Sequence, residues 1–292
     1  MDGESERAHA RLTTEGGRLC PVCREPARRA IDVDDYALFA CPACGCWSSD
    51  ALVRGAATSF VPAQYFGNAA LDRPKWDDLR RRIGPRPLAG ALDVGCGTGH
   101  FLAYLHAQYP AARLVGIELD PERAARARAL VPAAAVHVGD AAGVLDRLDA
   151  RFDLITLWDV FEHLPDPVAV LQALASRLAP DGRLFVQTIH ERSLVPAAGR
   201  WLYRLSGGRL RYPARRTHEA HHVVFFTRAG LARAAAAAGL AIERLWFDRL
   251  ARQRMDGGAL LTTATALLLS AENAFGNGLF VNVVLTPAPR SR

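Results

Sequence analysis

The sequence predicts an α/β protein: a mostly parallel sheet with helices on both faces, preceded by a small cysteine-bearing module. Three observations predict it. Short apolar strands alternate with helical segments from residue 88 onward, a glycine-rich turn in LDVGCGTGHF (92–101) ends the first of those strands, and two C-P-x-C pairs stand at 20–23 and 41–44. The 292 residues suffice for one large domain and an appendage. Half are hydrophobic and 23% are charged, a balance that fits a soluble globular chain and excludes a disordered one. The net charge of +6 permits an anionic partner (a phosphorylated substrate, a membrane surface, RNA) without requiring one.

Texture divides the chain into a disordered tail (1–17), a cysteine module (18–50), a helical connector (51–87) and the strand/helix domain (88–292). The start is polar and has no apolar core, so a secretory leader is not expected there. In the connector, KWDDLRRRI (75–83) reads as a helix stopped by Gly84 and Pro85. Strands follow at 91–95, 113–119, 134–140, 152–159 and 182–189. Between the second and third, Asp120 can cap the helix that Pro121 opens. A helix (167–180) lies between the fourth and fifth. After the fifth strand comes an arginine-rich insertion (191–222), read as irregular to 217, then a helix (227–239) and a strand (240–247). A second insertion (248–278) and a closing strand (279–286) complete the chain. A strand, insertion, strand ending predicts an antiparallel hairpin at one sheet edge. The longest late apolar run, 259–271, is shorter than the ~20 residues of a bilayer span. It is expected to be a buried or amphipathic helix, and the protein cytoplasmic, with its six cysteines reduced or metal-bound.

Each C-P-x-C knuckle turns two thiolates toward one centre, so Cys20, Cys23, Cys41 and Cys44 supply the four-sulfur tetrahedron that zinc prefers. With all four positions filled by protein, such a zinc is structural. An iron site or a redox dithiol is the alternative, although neither pair follows a βαβ pattern. Cys46 is read as a spare thiol and Cys96 as a small packing residue inside the glycine turn.

A dinucleotide turn would place its third glycine at residue 100, for helix–strand packing, but that residue is His100 and the glycine is Gly99. Asp93 also stands at the head of the turn, where a pyrophosphate would be repelled and a cationic amine welcomed. Glu118 and Asp140 end the next two strands, suited to ribose hydroxyls and to an exocyclic amine. Three acids at successive strand ends line the carboxyl edge of the sheet, where open α/β sheets bind ligands. This is the complement of S-adenosylmethionine, which carries an ammonium, a sulfonium and a ribose but no phosphate.

LDVGCGTGHF, VGIELDPE, VGDA, FDLITLWDVFEHLPDP and DGRLFVQT resemble, in order and spacing, the motifs of class I S-adenosylmethionine-dependent methyltransferases over residues 88–190. The resemblance implies a Rossmann-like methyltransferase fold with a seven-stranded, mostly parallel sheet whose last strand is antiparallel. It implies cofactor binding by Asp93, Gly95, Gly97, Gly99, Glu118, Leu119, Asp140 and Ala141. The amino half, with CPVC, DDYALFACPACG and a tyrosine at 65, resembles the zinc-ribbon extension of many bacterial small-molecule methyltransferases. Arg24 and Cys46 depart from it, standing where glycine and an apolar residue are frequent, and Glu118 replaces the commoner aspartate.

Methyl transfer to a hydroxyl or carbon acid needs a base as well as alignment. His190, His218, His221 and His222 are the candidates for base or substrate positioning, with a structural histidine as the alternative for each, while His163 is read as loop-positioning. WDVFEH after the fourth strand lacks the [ND]-P-P-[FY] of base-amine methylation. Residues 200–216 hold six arginines, three aromatics and no acid. They are expected to form a lid that meets an anionic substrate or lipid surface, a solvated loop being the alternative. The predicted function is methyl transfer to a small molecule (a hydroxylated sugar, lipid or secondary metabolite). An RNA base methyltransferase and a non-catalytic cofactor-binding scaffold are the competing readings, with nucleic acid the less favoured partner.

Overall fold

Two sheets meet in this chain, and one short strand from the carboxyl half completes the amino-terminal one. The computed structural model describes residues 13–14, 17–51, 69–248 and 258–289. Most of the predicted tail, the front of the connector with Tyr65, and 249–257 of the second insertion lie outside the described residues.

The first sheet is an antiparallel meander of β1 (Thr13–Thr14), β2 (Gly17–Leu19), β3 (Pro26–Val33), β4 (Tyr36–Ala40) and β5 (Trp47–Ser49). Its last member is β11 (Val224–Phe225), which pairs Val224 with Ser48 and Phe225 with Trp47. The cysteine pairs sit in matched knuckles: Arg24 N donates to Cys20 O at 2.9 Å, and Gly45 N donates to Cys41 O at 2.8 Å. Arg24 and Gly45 hold the equivalent left-handed position, φ +61° and +73°. Glycine is the natural occupant there. Arg24 spends its side chain on an ion pair with Asp166, 2.7 Å away, at the start of a helix of the main domain.

The second sheet has the order β12-β13-β10-β9-β6-β7-β8. Its parallel members are β6 (Gly90–Val94), β7 (Arg113–Glu118), β8 (Ala135–Val138), β9 (Phe152–Trp158) and β10 (Leu178–Ile189). β13 (Phe280–Pro287) runs antiparallel to both β10 and β12 (Leu240–Asp248), which gives the predicted hairpin at the edge. All of β6 is buried, as parallel strands covered on both faces must be. Leu92, Ile155, Leu157 and Leu184 form the centre of the core.

The helices are α1 (Ala69–Ile83), α2 (His100–Gln108), α3 (Pro121–Leu130), α4 (Ala141–Leu145), α5 (Pro167–Ser176), α6 (Leu194–Leu205), α7 (Tyr212–Thr217), α8 (Arg228–Ala237) and α9 (Ala259–Ala274). Local chemistry starts them. Asp120 accepts from Glu122 N and Arg123 N, Asp166 from Ala169 N, Ser193 from Val195 N and Thr227 from Gly230 N. α5 stops at Ser176, short of the predicted Pro180, because buried Leu178 already pairs with Phe152 and the residue before a proline avoids helical backbone.

The insertion read as irregular at 191–217 contains two helices. α6 buries Pro196 and Gly199 against α7, and Gly199 is required: a Cβ there would lie 2.9 Å from the Pro213 carbonyl oxygen. No described helix is long and apolar enough to cross a membrane.

Candidate functional site

The four sulfurs converge. Cys20 and Cys44 Sγ are 3.6 Å apart, Cys23 and Cys41 Sγ 3.5 Å, and all four lie within 4.8 Å of one another. A tetrahedral zinc with bonds of about 2.3 Å spaces its sulfurs by roughly 3.8 Å, so the set fits a zinc module. Cys46 is outside it, packed under Gly230, where a Cβ would meet its sulfur at 2.0 Å. The knuckles are wired into the main domain, since Thr227 Oγ1 donates to Cys44 O at 2.6 Å while capping α8.

At the carboxyl end of β6 the chain makes three left-handed turns, Gly95 (φ +72°), Gly97 (+55°) and Gly99 (+86°), which non-glycine residues adopt only under strain. Two are also packing glycines: a Cβ at Gly95 would strike Val160 at 2.4 Å, and one at Gly99 would strike Ala127 at 2.9 Å. Gly97 differs, because nothing lies within 4 Å of its missing Cβ. Its surface is open beside the acids, as a cradle for a bound molecule would be. Cys96 is buried, and its sulfur would lie 2.7 Å from a Cβ on Gly116, so it packs the strand as expected.

Asp93 is 2% exposed, and Thr156 Oγ1 donates to its carboxylate at 2.7 Å. Burial pushes its pKa up to about 7, with the Thr156 bond opposing and the Glu118 charge adding to the rise. A cation arriving beside it would reverse that shift. Glu118 braces the turn from β7: Oε2 accepts from Gly97 N at 2.8 Å and Oε1 from Asp120 N at 3.0 Å. Asp140 Oδ1 accepts from Gly143 N at 2.7 Å and so opens α4, with Ala141 behind it. Leu119 is 67% exposed and Val138 39%, apolar side chains left open at the same edge, where the flat face of a base would cover them. The donor set, the open glycine and this apolar flank together fit S-adenosylmethionine.

The predicted histidines do not share one environment. His218 is fully buried under the first sheet, with Nδ1 near Ala214 O and Nε2 3.0 Å from Glu191 Oε2. Glu191 also accepts from Arg200. Both nitrogens of His218 are spent, so it ties the insertion to the ribbon, where Tyr36 also donates to its carbonyl. His190, at the end of β10, packs on Phe247 with ring centres 4.8 Å apart. Its Nδ1 is buried without a partner, and burial lowers its pKa. His221 and His222 gather with His163 beyond the end of β9. His163 Nδ1 lies 2.9 Å from the His221 carbonyl, which supports its loop-positioning reading. Burial, then the His163 charge, lower His221 to about 4.

Sequence reasoning passed over two features of this edge. Glu162 is 1% exposed, accepts from Thr188 Oγ1 at 2.8 Å, and is pushed up to about 8 by burial and then by Asp159. It offers one ligand atom within 4.8 Å of those of His163 and His222, a set able to hold a divalent cation. The other is Lys75 on α1. Its Nζ donates to Gln187 Oε1 at 3.2 Å and lies 4.8 Å from the Phe280 ring centre. Gln187 donates to Asn282 Oδ1 and Asn282 to Asp248 Oδ2, a polar chain across β10, β13 and β12. A signal existed: Lys75 is the single lysine among 36 basic residues.

The geometry has counterparts in known proteins. Two curated relatives are ubiquinone biosynthesis O-methyltransferases. That of Xylella fastidiosa (strain 9a5c) is 38% identical over 127 residues, covering 41% of this chain and 50% of the relative. That of Xanthomonas campestris pv. campestris (strain B100) is 35% identical over 133 residues, covering 44% and 53%. The chain thus spans about half the length of the curated relatives it matches. Among solved structures, similar folds include the plantazolicin methyltransferase BamL, solved with a triazolic desmethylPZN analogue and SAH. Its TM-score is 0.51 at 13% identity, covering 76% of this chain and 86% of that one. A complex of the Haloferax volcanii Trm112 methyltransferase activator with a putative methyltransferase also matches, with TM-score 0.54 at 18% identity, covering 77% and 96%. These likenesses establish the Rossmann-like methyltransferase fold. A family model described as "Methyltransferase domain" matches residues 69–245, more than half of the sequence, and the chain belongs to that family.

Proposed function

We propose that this protein is an S-adenosylmethionine-dependent methyltransferase acting on a hydroxyl of a small molecule, with a structural zinc in its ribbon. The observation that carries the reading is the row Asp93, Glu118 and Asp140 at successive strand ends around the open Gly97. Asp93 would hold the ammonium through the Gly95–Gly99 turn, Glu118 the ribose hydroxyls, and Asp140, with Leu119 and Ala141, the adenine. The bound cofactor supplies an electrophilic methyl group on a sulfonium.

What remains for the chain is to orient the acceptor and remove its proton. His190, His221 and His222 stay as candidates for that proton. His218, with both nitrogens engaged, would act as a positioning residue for the insertion. The names of the curated relatives favour oxygen as the acceptor atom and a lipid or other hydroxylated metabolite as the acceptor.

Titration calorimetry with S-adenosylhomocysteine tests the reading, and zinc should be present at one per chain by metal analysis. Binding in the micromolar range, lost in Asp93→Ala, is expected. Absence of heat under conditions where a control methyltransferase binds would overturn it. A screen of labelled cofactor against hydroxylated metabolites then identifies the acceptor.

A further inference from the structure

α9 is an apolar helix most of whose described side chains are not buried among the described residues. Among its described side chains only Leu269 and Glu272 are buried, while Leu267 is 67% exposed and Leu268 and Phe275, at its end, are exposed too. Glu272 is the only charged residue of the helix and faces inward. It accepts from Ser193 Oγ at 2.9 Å and from Leu194 N at 3.1 Å. The one charge that could have solvated α9 instead anchors it to the first turn of α6, against which α9 packs.

α6 repeats the pattern. Its inner face, with Pro196 and Gly199, is buried, whereas Leu194, Trp201 and Leu205 are exposed at helical spacings of seven and four residues, a stripe along the outside. Trp201 is 65% exposed and Leu205 74%. All but three of the large hydrophobic side chains exposed among the described residues (Leu119, Leu130, Val138) lie in α6, α7, α9 and the residues beside them. Exposed apolar side chains gathered on two helices that pack together mark an interaction surface.

Charge says what covers it. Residues 191–217 contain seven arginines and one acid, Glu191, which is 1% exposed and already satisfied by Arg200 and His218. Arg192, Arg204, Arg209, Arg211, Arg215 and Arg216 are exposed; Asp34 of the ribbon offsets Arg211 and Arg215, and Glu219 pairs with Arg216, which leaves the surface in net positive charge. An apolar stripe flanked by exposed arginines matches the boundary of an anionic bilayer, with side chains at acyl depth and guanidinium groups at the phosphates. A second copy of the same face would bring arginines against arginines. Position agrees: β10 and β12 run parallel, so both insertions leave the carboxyl edge of the sheet, the edge that carries the acids.

We propose that α6 and α9 form a membrane-docking platform that seats the carboxyl edge of the sheet on anionic lipid, so that the acceptor is reached at the bilayer surface. This deepens the methyltransferase reading, yet docking is measured without any turnover. Four of the five tryptophans are buried or half-buried and only Trp201 is exposed, so intrinsic fluorescence reports this face.

The test is flotation of the full chain with phosphatidylglycerol/phosphatidylcholine vesicles and with phosphatidylcholine alone, with and without brominated acyl chains. Expected are binding to the anionic vesicles, quenching of Trp201 by bromolipid, and weakening in high salt. A Leu205→Ser/Leu267→Ser/Phe275→Ser variant should partition at least about tenfold less while retaining S-adenosylhomocysteine affinity. Binding that is equal for the variant, or absent for the wild type, overturns the proposal. So does a dimer by light scattering that the variant abolishes. Loss of S-adenosylhomocysteine binding with vesicle binding intact would instead count against the methyltransferase reading alone.

Discussion

Thr227 Oγ1 donates to the carbonyl of Cys44 at 2.6 Å and accepts from Gly230 N at 3.0 Å, so one hydroxyl joins a cysteine knuckle to the start of α8. Because β11 immediately precedes it and pairs with β5, the ribbon is part of the main domain's architecture rather than a tethered appendage. Thr227→Val keeps the shape but leaves a buried carbonyl and a helix N–H unpaired, at a cost of about 1–3 kcal/mol. Thermal denaturation should show a melting point lowered by several degrees. Zinc chelation of the wild type should lower it further, and an unchanged melting point in both would contradict the coupling.

If Asp93 holds the ligand ammonium as proposed, it links cofactor affinity to pH. Its folded pKa, about 7, lies above the ordinary carboxylate value of about 3.9. In the free protein, stability from the neutral Asp93 is complete below about pH 4 and declines as pH rises through 7. Binding of a ligand ammonium favours the ionised form, so affinity for S-adenosylhomocysteine should run the other way. Calorimetry should find it rising about tenfold per unit up to pH 7 and level above, whereas Asp93→Asn should bind weakly at every pH. A flat wild-type profile would remove Asp93 from the ammonium site.

The turn glycines should separate by function. Gly95→Ala meets Val160 at 2.4 Å in addition to its positive φ, and a loss of about 2–4 kcal/mol is expected by chemical denaturation. Gly97→Ala has free space and should cost only about 1–2 kcal/mol for its backbone, yet weaken S-adenosylhomocysteine strongly because its Cβ enters the cradle. Equal effects of both on stability and binding would argue that Gly97 faces no ligand.

Lys75→Met removes the donor to Gln187, a side chain with no exposure, and should destabilise by about 1–3 kcal/mol. As the sole lysine, Lys75 can also be followed by reductive methylation with labelled formaldehyde, which otherwise marks only the amino terminus. An acceptor that binds beside the Lys75–Asp248 chain should shift that signal, and one that leaves it unmoved binds elsewhere.

Periodicity and punctuation in the sequence specify most of the fold. The strands at 91–95, 113–119 and 152–159 sit within a residue or two of β6, β7 and β9, because buried parallel strands read as unbroken apolar runs between glycine, proline and capping aspartates. The cysteine quartet and the acid row were legible for the same reason: each sets one kind of side chain at regular spacings, and the fold brings the four sulfurs together and the acids to successive strand ends. Tertiary structure alone decided how distant segments were used. No local pattern announces that Val224–Phe225 completes a sheet begun 200 residues earlier, since a two-residue strand is specified by its partner. His218 and His222 look alike in HEAHH, yet one is saturated by Glu191 and Ala214 while the other joins His163. The run 259–271 announced an apolar helix, but burial is a property of neighbours. Only the packing of α9 on α6, through Glu272, shows that Leu269 is turned inward while Leu267 and Leu268 are turned outward.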